Sequence, residues 1–150
     1  MIYIITALKA EAQAFVDKFK NDTKNYSIHI SGIGSENMRK KTKEVVKLMQ
    51  KDDILLNVGI CAASSNYPIG SLIDASVKKI TCVDKAVSDK DIYEIADMES
   101  SGFLDGSKDV QNRYIFKVVS DHFEPKSVTK DMAKNLIFKQ IDEILKRIKK

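Results

Sequence analysis

Three short acidic stretches stand far apart in this chain of 150 residues: Leu8-Lys9-Ala10-Glu11, Asp97-Met98-Glu99-Ser100 and Val119-Ser120-Asp121. Each sets a carboxylate at or just beyond an expected strand end or helix start. Open α/β sheets build their pockets at such places. Three carboxylates in one crevice can hold a ribose, protonate a leaving base and activate a water molecule.

The elements that must position them follow from apolar spacing. Ile2 to Ala7 reads as a short buried strand, and Lys9 to Lys20 as a helix with Ala10, Ala14, Phe15 and Phe19 on one face. Tyr26 to Ser31 alternates like a strand. The turn Gly32-Ile33-Gly34 leads into a helix from about Glu36 to Gln50, whose apolar face is Met38, Val45, Leu48 and Met49. Ile54 to Val58 is a third strand, and the small residues from Gly59 to Asn66 read as a loop. Leu72-Ile73 and the alternating stretch Val77 to Val83 follow. Asp84 to Glu94 is polar and reads as loop or short helix. A helix is expected from Met98 to Gly106, then an apolar strand from Tyr114 to Val119. Ser127 or Thr129 can cap one last helix, whose stripe runs from Met132 through Leu136, Ile137, Ile141, Ile144 and Leu145 to Ile148. Strands alternating with helices imply parallel pairing and right-handed crossovers. The expected fold is a three-layer α/β/α sandwich with a mostly parallel central sheet, formed by residues 1–150 as one domain.

Composition sets outer bounds. With 43% hydrophobic and 31% charged residues the chain is globular rather than disordered. The formal charge is +4, concentrated in Arg39-Lys40-Lys41, Lys78-Lys79 and Lys146-Arg147-Lys149-Lys150. These runs read as solvated faces. No interleaving with aromatic residues points to nucleic acid. Cys61 and Cys82 form no CxxC pair, and no His, Cys and carboxylate spacing suits a metal, so neither metal nor cofactor is expected. No signal peptide and no membrane-spanning run are read, which gives a cytoplasmic expectation without membrane contact.

Four patches, taken in order, resemble the purine nucleoside phosphorylase and nucleosidase superfamily, most nearly the methylthioadenosine/S-adenosylhomocysteine nucleosidases. They are Ala7-Leu8-Lys9-Ala10-Glu11; Ser31-Gly32-Ile33-Gly34; Asn57-Val58-Gly59 with Ile69-Gly70-Ser71; and Asp97-Met98-Glu99 with Val119-Ser120-Asp121. The resemblance implies roles. Glu11 would activate the attacking water, Met98 and Glu99 would hold the ribose, Asp121 would protonate the purine, Ser120 would orient Asp121, and Gly59 would border the substrate. It also implies a nucleoside substrate and a homodimer. The chemistry agrees. Cleaving an N-glycosidic bond builds positive charge on the sugar, as in glycoside hydrolysis. An ionised carboxylate holds hydroxyls by charge-assisted bonds. A protonated acid aids departure of the base, a step worth about 10² to 10⁴ in rate.

The sequence also departs from the family. Only Asp74 to Ala96 fills an interval that in the family is longer and supplies the wall against the base, so the chain reads as shortened there; Tyr93 or Phe103 would have to serve as a stacking ring. Ile60-Cys61-Ala62 replaces the family's Ser-Ala-Gly. Phosphorylases place an arginine and a serine where this chain has Asn57 and Ile60, so phosphate would need Arg39, Arg113 or a partner subunit. Gly32-x-Gly34 can cradle an anion or form a plain tight turn. Each acid also has a bland reading: Glu11 favours a helix dipole, Asp97 caps a helix, and Asp121 sits solvated in a loop. His29 reads as a strand residue with a satisfied ring and His122 as a loop histidine. Hydrolysis of a nucleoside is the leading expectation; a non-catalytic nucleoside or nucleotide binder and a phosphorylase are the alternatives.

Overall fold

Residues 1–89 and 92–148 are described by a computed structural model. Strand β1 (Ile2–Thr6) is buried from Tyr3 onward, as a central strand covered on both faces must be. Then come α1 (Lys9–Phe19), β2 (Tyr26–Ile30), α2 (Ser35–Val46) and β3 (Ile54–Ala63). The second half holds β4 (Leu72–Asp74), β5 (Thr81–Cys82), β6 (Ile95–Asp97), α3 (Ser100–Gly106), β7 (Arg113–Asp121), α4 (Lys130–Phe138) and α5 (Ile141–Ile148).

β1 pairs in parallel with β2 and with β3, and β3 in parallel with β7. β4 runs antiparallel along β7. Successive side chains point to opposite faces, so each strand feeds two cores. On one face Ile4, Leu56, Val58 and Phe116 pack against Phe15, Ile137, Ile141 and Ile144 of α1, α4 and α5. On the other, Tyr3, Ile5, Leu55 and Ile115 meet Met38 and Val45 of α2 and Phe103 of α3. This is the expected three-layer α/β/α sandwich with a mostly parallel sheet. Each fully buried Ile, Leu or Phe contributes about 1.5–3 kcal/mol.

The functional geometry comes from a fork in this sheet. β7 occupies one edge of β3 from Leu55 to Ala62. On the opposite edge β1 pairs only with Ile54 to Asn57. β6 joins in antiparallel sense at Ala62 and Ala63. Between those pairings the edge of β3 has no strand neighbour, and a crevice opens.

Several boundaries differ from the sequence reading. Gly59 to Ala63 is strand, not loop; Gly59 is small because the buried side chains of Glu11 and Lys117 fill the space beside it. α2 ends at Val46, and Leu48 and Met49 fall in the following turn, with Leu48 exposed. Of the alternating stretch Val77 to Val83 only Thr81–Cys82 becomes strand, and Val77 lies exposed. The polar stretch 84–94 forms no helix among its described residues. α3 begins at Ser100, later than Met98, because Asp97 accepts the Ser100 N–H at 3.0 Å and fixes the turn there. The last stripe is two helices rather than one. Lys139 and Gln140 break it, and the Gln140 amide donates to the Gly70 carbonyl at 2.8 Å. Thr129 caps α4 by accepting the Met132 N–H at 3.1 Å.

α3 lies so close to α2 that a Cβ added at Gly102 would sit 2.0 Å from the Ser35 carbonyl oxygen. In an exposed helix, Gly→Ala stabilises by about 1 kcal/mol. Gly102→Ala is expected to reverse that sign, because backbone cannot yield as a side chain does. Urea unfolding should show a lower midpoint than the parent protein.

Candidate active site

The crevice at the fork is a cavity of about 660 Å³, its open mouth included. Glu11, Met98, Glu99, Ser120 and Asp121 all line it. Elements remote in sequence therefore bring the three expected carboxylates to one place, at the carboxyl ends of β1 and β7 and at the entry to α3.

Glu11 closes the fork. Its Oε1 accepts the N–H groups of Ala7 at 3.0 Å and Leu8 at 2.8 Å, where the chain leaves β1 for α1. Its Oε2 accepts the Ile60 N–H at 2.9 Å, on the stretch of β3 that neither β1 nor β6 pairs. Two donors on Oε1 use both its lone pairs, whereas Oε2 keeps one. Burial raises the Glu11 pKa above its ordinary value, and the Lys117 charge and the N–H donors only partly offset this. Gly59 does not line the cavity. Its task is to be small: a Cβ there would lie 2.9 Å from Glu11 Oε2 and 3.3 Å from Lys117 Nζ.

Lys117 is the residue that sequence reasoning missed. It pairs with Gly59 across β3 and β7 and is 1% exposed. Its ammonium meets Asp97 Oδ2 at 3.1 Å, with both side chains buried. Burial alone would depress the Lys117 pKa, but Asp97, Glu99 and Glu11 together outweigh it and hold the pKa above its ordinary value. A lysine inside Tyr114-Ile115-Phe116-Lys117-Val118-Val119 was the available signal, since a charge on a strand buried on both faces needs a partner. Asp97 does more than cap. Its carboxylate takes the N–H and the hydroxyl of Ser100, at 3.0 and 2.6 Å, besides the Lys117 ion pair.

Glu99 Oε2 accepts the Gly34 N–H at 2.8 Å. The Gly32-Ile33-Gly34 turn thus receives an anion, and that anion is the chain's own. Gly32 is committed elsewhere, its N–H donating to the Ala7 carbonyl at 3.1 Å. Both glycines have positive φ, +88° and +103°, which the turn requires. Burial raises the Glu99 pKa, against the Lys117 charge and the Gly34 bond. With one lysine among Glu11, Asp97 and Glu99, the cluster has more acid than base.

Asp121 accepts the Ser120 hydroxyl at 2.6 Å and the Glu124 N–H at 2.8 Å, so the carboxyl group is held in one orientation. The wall nearby is aliphatic: Ala62, Val83, Ala86 and Val87 line the cavity. Neither expected stacking ring does. Phe103 is fully buried between α3 and the sheet, and Tyr93 lines a separate depression with His122. His122 Nε2 lies 2.8 Å from the Tyr67 carbonyl, and His29 Nε2 lies 2.8 Å from the Ser27 hydroxyl.

The arginines suggested for phosphate lie off the cavity. Arg39 pairs with Glu36, and Arg113 donates to the Leu104 carbonyl at 2.8 Å. Cys61 is buried, and burial pushes its thiol pKa far up, so it is no nucleophile. Among the described residues no three His, Cys, Asp or Glu side chains are grouped to hold a metal ion. No helix among them is long and apolar enough to cross a membrane.

No family model matches this chain, and no curated protein sequence matches it. Solved structures do. The 5′-methylthioadenosine/S-adenosylhomocysteine nucleosidase of Campylobacter jejuni superposes with a TM-score of 0.76 at 14% identity, over 97% of this chain and 96% of that one. The same enzyme from Neisseria meningitidis, in complex with methylthio-immucillin-A, gives 0.75 at 12% identity, over 97% and 98%. The futalosine hydrolase of Helicobacter pylori gives 0.71 at 11% identity, over 95% and 97%. At such identities the likeness is one of fold: this chain has the fold of these nucleosidases.

Removing the buried cation leaves Asp97 unpaired, and breaking a buried pair costs about 3–5 kcal/mol. The raised carboxyl groups set the sign of the pH effect. Their contribution to stability is fully present below the ordinary Glu pKa of 4.5 and is lost as pH rises through their raised values. Lys117 opposes that loss. Lys117→Met is therefore expected to cost more stability at pH 8 than at pH 5, as read by urea unfolding at the two pH values.

Proposed function

We propose that this protein hydrolyses the N-glycosidic bond of a nucleoside. The observation that carries the reading is the convergence of Glu11, Glu99 and Asp121 on one cavity with an excess of acid over base. The transition state of this reaction is a sugar cation. Preorganised negative charge favours that cation more than the neutral substrate, which is what accelerates a reaction.

Each group then has a task. Glu99, whose Oε1 remains for the substrate, takes ribose hydroxyls while Met98 packs beside the ring. The free lone pair of Glu11 Oε2 holds water. As the C1′–N bond breaks, its electron pair goes to the base and Asp121 supplies a proton to the ring. The water oxygen bonds to C1′, and its proton passes to Glu11. Glu11 then gives its proton to solvent and Asp121 regains one from solvent, so that net, water is split between sugar and base and no further reactant is needed. Ser120 keeps Asp121 aimed. Lys117 acts through Glu11, Asp97 and Glu99, and is a positioning residue. Hydrolysis fits better than phosphorolysis, because no arginine lines the cavity and the Gly32 and Gly34 N–H groups are already occupied. The fold shared with nucleosidases supports the same reading.

A panel of purine nucleosides, assayed for free base with and without phosphate, tests it. Base should appear without phosphate. Asp121→Asn is expected to lower kcat by about 10² to 10⁴. Glu99→Gln is expected to raise KM as well. Release of base only when phosphate is added, or full turnover by both variants, would refute the assignment. In the parent protein kcat/KM should rise with pH along a limb lying above the ordinary Glu pKa of 4.5, as Glu11 loses its proton.

A further inference from the structure

Strand β7 carries a β-bulge at the cavity. Cys61 of β3 pairs with Val119 and Ala62 pairs with Asp121, so Ser120 is an extra residue with no β3 partner. A bulge re-aims a side chain, and bulges gather beside active sites. This one turns the buried Ser120 hydroxyl onto two acceptors at once. Asp121 Oδ1 lies 2.6 Å away and the Cys61 carbonyl oxygen 3.2 Å away. A hydroxyl has a single hydrogen and serves only one of them fully. The other Asp121 oxygen is already fixed. Oδ2 accepts the Glu124 N–H at 2.8 Å, where the chain turns back through Phe123, a buried ring held at φ 63°. So bulky a residue is rarely left-handed, and such outliers cluster at active sites.

We propose that Ser120 is a hydrogen-bond switch that follows the proton on Asp121. The inference rests on the hydrolase reading above, in which Asp121 is the acid. While Asp121 is protonated, its Oδ1–H donates to Ser120 Oγ. The Ser120 hydrogen then goes to the Cys61 carbonyl, and both contacts are full hydrogen bonds. When a nucleoside binds, the carboxyl hydrogen turns from Ser120 Oγ to the ring nitrogen of the base. As the C1′–N bond breaks, the Oδ1–H bond breaks and the new N–H bond forms. The charge left on Oδ1 draws the Ser120 hydrogen across from the Cys61 carbonyl. No covalent bond of Ser120 changes. The exchange favours release of the proton, because a bond to an ionised oxygen is roughly twice as strong as one between neutral groups. That stronger bond exists only once the charge has appeared, so it lowers the barrier rather than the ground state. When Asp121 regains a proton from solvent, the Ser120 hydrogen returns to Cys61. Ser120 acts through Asp121 and is a positioning residue. The charged groups around this centre are Glu11 from α1, Asp97 from β6, Glu99 before α3 and Lys117 from β7, with His122 and Glu124 in the Asp121 turn itself.

The test reads the Cys61 carbonyl itself. Cys61 and Cys82 are the only cysteines, so cysteine with an isotope-labelled carbonyl marks two sites, and Cys82→Ser tells them apart. Infrared spectra are taken from acid to alkaline pH on the protein without substrate. A carbonyl that loses a hydrogen bond absorbs at higher wavenumber. In the parent protein the Cys61 band should move up as Asp121 ionises. In Ser120→Ala it should lie high at every pH. Asp121→Asn must keep its oxygen towards the Glu124 N–H, which turns its amide N–H onto Ser120 Oγ and copies the acid form. In that variant the band should lie low at every pH, although every other charged group named above is still present. Turnover gives a second reading. Ser120→Ala should lower kcat on purine nucleosides by about tenfold, and Ser120→Thr, which keeps the hydroxyl, should restore it. A Cys61 band indifferent to pH in the parent protein, or one that moves as much in Asp121→Asn, overturns the inference and leaves the hydrolase reading standing. A band that follows Asp121 in a protein that releases no base keeps the switch and removes the hydrolase reading.

Discussion

One buried ammonium organises the centre of this protein. Lys117 sits on a strand whose neighbours are aliphatic and aromatic, where an isolated ion would cost several kcal/mol. It is tolerated because Asp97 meets it directly and Glu11 and Glu99 surround it. The dependence runs both ways. Without the cation, Glu11 and Glu99, whose pKa values burial already raises, would lose the charge that holds them down. The loop before α3, the start of α1 and the middle of β7 are thus held in register by charge as well as by packing.

That arrangement explains why the sheet forks. A continuous pairing of β1 with β3 would leave no room for carboxylates between them. The N–H of Ile60, released from strand pairing, needs an acceptor, because a buried unpaired N–H is costly. Glu11 supplies it. The open edge is therefore the means by which a side chain from α1 reaches the carboxyl ends of the strands. Gly59 completes the arrangement by leaving space where any side chain would collide with Glu11.

Much of this was legible in the sequence and some was not. The parallel strands and the helices over them followed from apolar spacing, since Ile2 to Ile5 is apolar throughout and Tyr114 to Val119 is so apart from Lys117. The three acidic stretches were visible because each breaks an apolar run at its end. Lys117 was overlooked because a single lysine in an apolar strand suggests an edge position; the pairing of β7 with β3 on one side and β4 on the other shows it to be interior. The extension of β3 was hidden by composition: Gly59, Cys61, Ala62 and Ala63 look like loop residues until their pairing with β7 and β6 is known. The division of the last helix was hidden too, because the stripe keeps its period across Lys139 and Gln140. No local signal records that Gln140 reaches the Gly70 carbonyl.

The hydrogen bonds of Glu11 have an evolutionary corollary. Its carboxylate ties together three backbone N–H groups that would otherwise be orphaned, so selection for a stable fold alone would retain it. A relative that bound a ligand without turning it over would still keep glutamate at position 11. Across relatives of this chain, persistence of that residue is uninformative about activity. Under the hydrolase reading proposed above, drift at Asp121, whose bonds are local to one turn, is the better marker of a relative that binds without turnover.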